Sequence, residues 1–177
     1  VCQGFAGSNP LRFMKQYAAA GLKFPVVAGE TAGDDALLRS FGDEAIGMYS
    51  CCPYTVDLDN ESNKRFVAAM NKDYNVDPGF YCAGLYVNGM VINAALEKTG
   101  GKSDDKDALI KAMRSVELKN TPRGDIKFDH FGNVIGDFFV RRIEKANGKL
   151  INKTVKTYHD VSQFWTYDEK KFLSQPV

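Results

Sequence analysis

The stretch VCQGFAGSNPLRFMKQYAAAGLKFPVVAGE, residues 1–30, decides how this chain is read. Val1 to Phe5 has the character of a strand end, and it runs into a glycine-rich turn at Gly4 to Ser8. Ser8 or Asn9 can cap a helix that takes Pro10 at its first position, where the missing N–H costs nothing. Leu11, Met14 and Ala18 then recur at helical spacing, with Phe13 and Tyr17 on the adjoining row, and Gly21 closes the helix. Phe24 to Ala28 reads as a short buried strand, and Gly29-Glu30-Thr31-Ala32-Gly33 as a second turn. Strand, turn, helix, strand and turn in this order predict an α/β fold with a parallel sheet flanked by helices. In such sheets ligands sit at the carboxyl ends of strands, so the turns at Ala6 to Asn9 and Glu30 to Gly33 are the first places to look for a site.

The pattern continues outward from there. Asp34 to Phe41 predicts a short helix and Ala45 to Ser50 a strand, after which Pro53 breaks the chain. Asn60 or Ser62 can begin a helix carrying Phe66, Val67, Met70 and Tyr74. Asp77-Pro78-Gly79 interrupts it, and Tyr81 to Lys98 is the longest helical stretch, with Tyr86, Val87, Met90, Val91, Ala94 and Ala95 on its apolar side. Gly100-Gly101 ends that helix, and Asp104 to Ser115 is a further amphipathic one. After Pro122 the character changes. Ile126 to Phe128 and Asp137 to Ile143 read as strands, and Ala146-Asn147-Gly148 is a hairpin turn with Thr154 to Tyr158 returning. The tail from Val161 to Phe172 is rich in aromatics.

The 177 residues carry a net charge of +1 and are 44% hydrophobic, ample for a core and without the excess charge that draws a protein to nucleic acid or anionic lipid. No apolar run approaches the roughly 20 residues that span a bilayer. Cys2, Cys51, Cys52 and Cys82 are not spaced like zinc ligands, and a disulfide between adjacent Cys51 and Cys52 would be strained.

Most motifs for chemistry fail on their own terms. Gly101-Lys102-Ser103 echoes a phosphate-binding loop, but Leu96 stands where its first glycine belongs and the segment follows a helix. Asp57-Leu58-Asp59 begins like a calcium loop, but Ser62 occupies the glycine position. Ser8 lacks the glycines of a nucleophile elbow, and His130 and His159 have no second ligand near them in sequence. No catalytic residue, cofactor loop or metal site is expected. What remains is a binding constellation. Ser8 and the amides beside it lie at a helix start, which favours a carboxylate, although simple helix capping is the plainer explanation of Ser8. Glu30 sits in a glycine-flanked turn, where folding needs no charge; it is either a solvated loop carboxylate or an acceptor for a ligand ammonium or hydroxyl. Phe80 and Tyr81 stand at a helix entry and either pack there or wall an apolar pocket.

The ordered runs FMKQYAAAGLKFPVVAGE, FGDEAIGMYSCCPY, NKRFVAAMNKDYNVDPGFYCAGLYVNGMVINAALEKTGG and TPRGDIKFDHFGN resemble the second half of the type I periplasmic solute-binding proteins, and more narrowly the branched-chain amino acid (Leu/Ile/Val) binding family of ABC importers. The ending VSQFWTYDEKKFL resembles members that carry aromatic or other organic acids. The resemblance implies a two-lobed clamp that closes on a small solute, an amino acid or a small organic acid, without altering it. Residues 1–50 would belong to the C-terminal lobe, a crossing would fall at Cys51 to Tyr54, 51–120 would complete the N-terminal lobe, and 121–177 would hold the return crossing near Thr121 to Phe128, the hairpin and the tail. It also implies ligand contacts from Phe5, Ala6, Ser8, Glu30 and Tyr81. At the position of Ala6 amino-acid binders have an aromatic hydroxyl, so Ala6 widens the pocket and removes a donor.

The implied partners are the solute and an ABC permease in the membrane, with no nucleic acid, and the implied location is periplasmic. The family's first half, roughly as many residues again, would be missing ahead of Val1, so the chain is expected to be a fragment. Uncovered sheet edges and helix faces would then favour a homodimer or swapped assembly. A ligand-sensing domain of the same fold, in a receptor or regulator, is the alternative.

Overall fold

The structure, a computed structural model, describes residues 1–175; Pro176 and Val177, the end of the expected 121–177 segment, lie outside the described residues. In chain order the elements are β1 Cys2–Gln3, α1 Asn9–Ala19, β2 Val27–Ala28, 3-10 turns at Asp35–Ser40 and Asp43–Ala45, β3 Tyr49–Cys52, α2 Glu61–Tyr74, α3 Phe80–Lys98, α4 Lys106–Arg114, β4 Leu118–Thr121, β5 Gly124–Phe128, β6 Val134–Ala146, β7 Lys149–Val161 and α5 Glu169–Leu173.

Only the first three strands run parallel. β1 pairs with β2 and β2 with β3 in parallel, but β6 is antiparallel to β3, β5 and β7, and β4 to β5. The expected parallel sheet is therefore a mixed one. The reason lies in the hairpin: Asn147 and Gly148 both take positive φ, 50° and 77°, and turn β6 directly back into β7 with no helix between. Both hairpin strands are longer than the apolar runs suggest.

β6 is the spine of the sheet. Phe139 stands opposite Cys52 of β3 on one side and Thr157 of β7 on the other; Gly136 stands between Ile126 of β5 and Val161 of β7. β3 and β5 thus lie end to end along the same edge of β6.

Two short strands differ from expectation for local reasons. β2 begins only at Val27, because Pro25 has no N–H to give; Val27 N–H donates to Val1 O at 2.8 Å, and Phe24 is left 67% exposed. Residues 45–48 do not extend, since Ala45 N–H bonds back to Gly42 O and the Glu44 carboxylate folds onto Gly42 N–H at 3.0 Å.

The apolar side chains gather in three clusters. One joins Met14, Tyr17, Val26, Leu38, Phe41 and Met48 to Ile143 of the hairpin. A second packs Val87, Val91 and Ala95 of α3 with Val116, Ile126, Phe128 and Val134. The third holds Cys52, Tyr54, Phe66 and Ala83. Ile126, Phe128 and Val134 pack with α3, while Ile143 packs with α1 and β2. The outer side of α3 remains bare: Leu85 is 72% exposed, with Tyr86 and Ile92 also open.

Candidate functional site

The two turns singled out by sequence lie side by side. Gly29 N–H donates to Gln3 O at 3.0 Å, and Thr31 Oγ1 donates to Phe5 O at 3.3 Å, so the loop after β2 is tied to the loop after β1. Gly7, at φ +64°, makes the left-handed step that lets α1 start at Asn9. Ser8 is exposed and makes no capping bond with its side chain; its carbonyl accepts from Arg12 N–H instead. The simple capping explanation of this hydroxyl therefore fails. Ala6 is exposed beside it, and the Phe5 ring lies 5.5 Å from that of Phe13. Glu30 is partly exposed and forms no ion pair among the described residues.

Tyr81 follows Phe80, whose backbone is tied to Asp34. The Asp34 carboxylate, in the same segment as Glu30, accepts Phe80 N–H at 3.1 Å and so docks the first turn of α3. A Cβ on Gly79 would fall against that carboxylate, so glycine is required there for space. Tyr81 is 63% exposed, its ring 4.2 Å from that of Phe80. Burial holds Asp34 above the usual carboxylate range, against the pull of Phe80 N–H and Arg141.

Behind these loops lies a buried node that sequence reading missed. Arg141 is wholly buried; it donates to Asp35 Oδ2 at 2.9 Å, Tyr54 O at 3.1 Å, Gly33 O at 3.2 Å and Ser50 Oγ at 3.1 Å. Asn152 donates to Gly33 O at 2.7 Å and Asp35 Oδ1 at 3.0 Å. Burial pushes Asp35 up to about 6, opposed by Arg141 and then Asn152. The hairpin thereby grips the loop that carries Glu30. One signal for it is present in the sequence: Arg141 is in phase with Phe139 and Ile143, both buried, on a strand of period two.

A second missed residue is Arg123, in the turn between β4 and β5, considered below. Cys52 is buried and its thiol is pushed up to about 12 by burial, and Cys51 is raised for the same reason, so neither is a ready nucleophile. No group of three or more His, Cys, Asp or Glu fit for a metal occurs among the described residues, and no helix among them is long and apolar enough to cross a membrane. A cavity of about 390 Å³ between the Asp35–Ser40 turn, the end of α2 and the hairpin tip is lined by Arg39, Asn71, Asp77 and Lys145 and takes in none of the five predicted contacts.

A family described as periplasmic binding protein matches residues 1–149. The chain belongs to that family. Among curated relatives of this periplasmic binding protein, Leu/Ile/Val-binding protein homolog 6 of Brucella suis biovar 1 is 30% identical over 163 residues, covering 87% of this chain and 41% of the relative. A solute binding protein of an ABC transporter from Rhodopseudomonas palustris BisB5, solved with 3,4-dihydroxybenzoic acid, superposes with a TM-score of 0.83 at 33% identity, over 91% of this chain and 46% of that one. Another from R. palustris, solved with 4-hydroxybenzoate, gives 0.76 at 30% identity, over 88% of this chain and 43% of that one. The chain thus spans less than half the length of the relatives it matches, and its fold is that of the type I periplasmic binding proteins.

Proposed function

We propose that this chain supplies one jaw of an extracytoplasmic solute-binding component of an ABC importer, and that it holds its solute by closure without chemistry. The observation that carries the reading is Glu30: a carboxylate free of any ion pair among the described residues, on a loop bonded through Thr31 to the Phe5 loop. An unpaired charge at the tip of a strand adds nothing to folding and is suited to a ligand donor. Ser8 and the amides at the start of α1 stand beside it, and Tyr81 offers an aromatic wall from α3.

The bare side of α3 supports a jaw that meets a further layer. A helix apolar on both sides is one that packs on both sides. In this reading residues 1–50 form the core of one lobe, 51–120 belong mainly to the other, and β6 carries the chain between them. The rest of that second lobe, in the full-length protein, covers Leu85, Tyr86 and Ile92; a second copy of this chain is the other candidate occupant, and mass in solution separates the two. Solutes of the class held by the relatives, aromatic carboxylic acids, fit the absence of a large side chain at Ala6 better than a small branched amino acid. A membrane permease is the partner for delivery.

The test is a thermal-shift panel on the full-length protein with benzoate, 4-hydroxybenzoate, 3,4-dihydroxybenzoate and leucine. A true solute at a hundred times its Kd adds about 2.7 kcal/mol. Failure of all four to raise the midpoint would contradict the reading.

A further inference from the structure

Arg123 is the one cation at the end of β3 that the fold leaves without a protein partner among the described residues. Its place is set by register. Cys52, the last residue of β3, stands opposite Phe139, and Ile126 of β5 stands opposite Gly136 on the same edge of β6. Continuing β5 back to Gly124 brings its start level with the end of β3, and Arg123 immediately precedes it. Asn60, the N-cap of α2, fixes this turn by donating to Thr121 O at 3.0 Å. Within the turn, Thr121 Oγ1 donates to Gly124 O at 2.6 Å and accepts Arg123 N–H at 3.2 Å. Glu30 comes to the same strand end from the other side, since Ala28 pairs with Ser50 two residues before Cys52.

The backbone of Arg123 is thus held, and its neighbours Thr121 and Pro122 are buried. The side chain is half-buried, yet its guanidinium makes no hydrogen bond, ion pair or aromatic stack among the described residues. Burial draws its pKa down, and Cys52 and Glu30 are the groups whose charge opposes this, which places all three in one neighbourhood. A guanidinium kept partly dry without a carboxylate is costly unless something else pairs with it. Its planar fork matches a carboxylate with two parallel bonds.

We infer that Arg123 is the anion-reading residue of this jaw, taking the carboxylate of the solute while Glu30 accepts from a hydroxyl or ammonium elsewhere on the same molecule. The inference rests on the solute-binding reading above and narrows it to solutes that carry both an acid and a donor group. 4-Hydroxybenzoate and 3,4-dihydroxybenzoate are the natural probes, with benzoate as the acid that lacks the donor.

Titration calorimetry on the full-length protein tests it with those three acids, leucine and the neutral benzamide, in wild type, Arg123→Gln and Arg123→Lys. Arg123→Gln is expected to weaken every acid that the wild type binds by about 10- to 100-fold, with partial recovery in Arg123→Lys and no comparable change for benzamide. Its ligand-free melting midpoint should match the wild type, because the side chain makes no bond in the fold. If the wild type binds an acid and Arg123→Gln binds it equally, the inference fails and the solute-binding reading stands. If Arg123→Gln cannot fold, or its midpoint drops sharply, Arg123 is structural and the inference fails likewise. If the wild type binds none of the probes, the solute-binding reading fails first and takes Arg123 with it.

Discussion

Two groups of polar and charged residues lie near the loop that follows β2, and they differ in how they are paired. Arg141, Asp35 and Asn152 are buried and bonded to one another and to the carbonyls of Gly33 and Tyr54. Glu30 and Arg123 lie at the end of β3, half-buried, with no ion pair to any described residue. The buried group holds the backbone in one geometry; the open group is held in place by that backbone and has its charges to spare. In the proposed reading, pairing more than charge itself separates the structural site from the binding one.

Removing the buried cation should have the largest effect. Arg141→Met leaves Asp35 without its guanidinium and Tyr54 O and Ser50 Oγ without their donor, a loss of about 3–5 kcal/mol near pH 8. The pH dependence has a definite sign. Asp35 already has a native pKa raised to about 6 against an ordinary 3.8, so the folded state binds the proton more tightly than the unfolded one. Its contribution is most favourable in acid and falls as pH rises from about 4 through 6. Without Arg141 that window extends further upward, so the cost of Arg141→Met should be markedly smaller at pH 5 than at pH 8. Urea denaturation at the two values reads this out; a cost independent of pH would mean that Asp35 does not titrate in the fold.

Gly79→Ala comes next. The added methyl meets the Asp34 carboxylate that docks α3, and the strain should cost about 1–3 kcal/mol. The same variant should also weaken solute binding, because Tyr81 rides on that first turn. A stable Gly79→Ala protein with unchanged affinity would detach Tyr81 from the site.

Ser8→Ala should have the smallest effect on stability, within about 0.5 kcal/mol, since its hydroxyl caps nothing. A loss near 1 kcal/mol, the usual value of a helix cap, would return Ser8 to a purely structural role.

The open group was largely legible in the sequence and the buried one was not. Glycine-flanked turns after short apolar runs announce themselves, so Ser8 and Glu30 stand out, and the Thr31–Phe5 bond brings their loops together. Helices were legible for the same local reason: Asn60 and Asp105 cap α2 and α4 through Asn63 N–H and Ala108 N–H. The α/β class is legible but the mixed strand order is not, because that order is non-local. Nothing near Tyr49 tells that its partner is Arg142, nor that β5 and β3 share an edge of β6. Asp35 and Arg141 are separated by 106 positions, so their pairing exists only once the hairpin is folded. Arg123 is not legible in the sequence because a single arginine after a proline looks like any loop cation until the register shows which strand end it faces.

The contrast between the two groups reduces to one measurement on Glu30→Gln. Its melting midpoint is taken with and without saturating 4-hydroxybenzoate, beside the wild type. The ligand-free midpoint should stay where it is, because Glu30 has no partner in the fold, while the ligand-induced rise should shrink by the equivalent of about 1–3 kcal/mol of lost charged hydrogen bonding. A ligand-free midpoint that falls while the ligand-induced rise stays intact would contradict the account, since it would make Glu30 part of the scaffold and leave the site elsewhere.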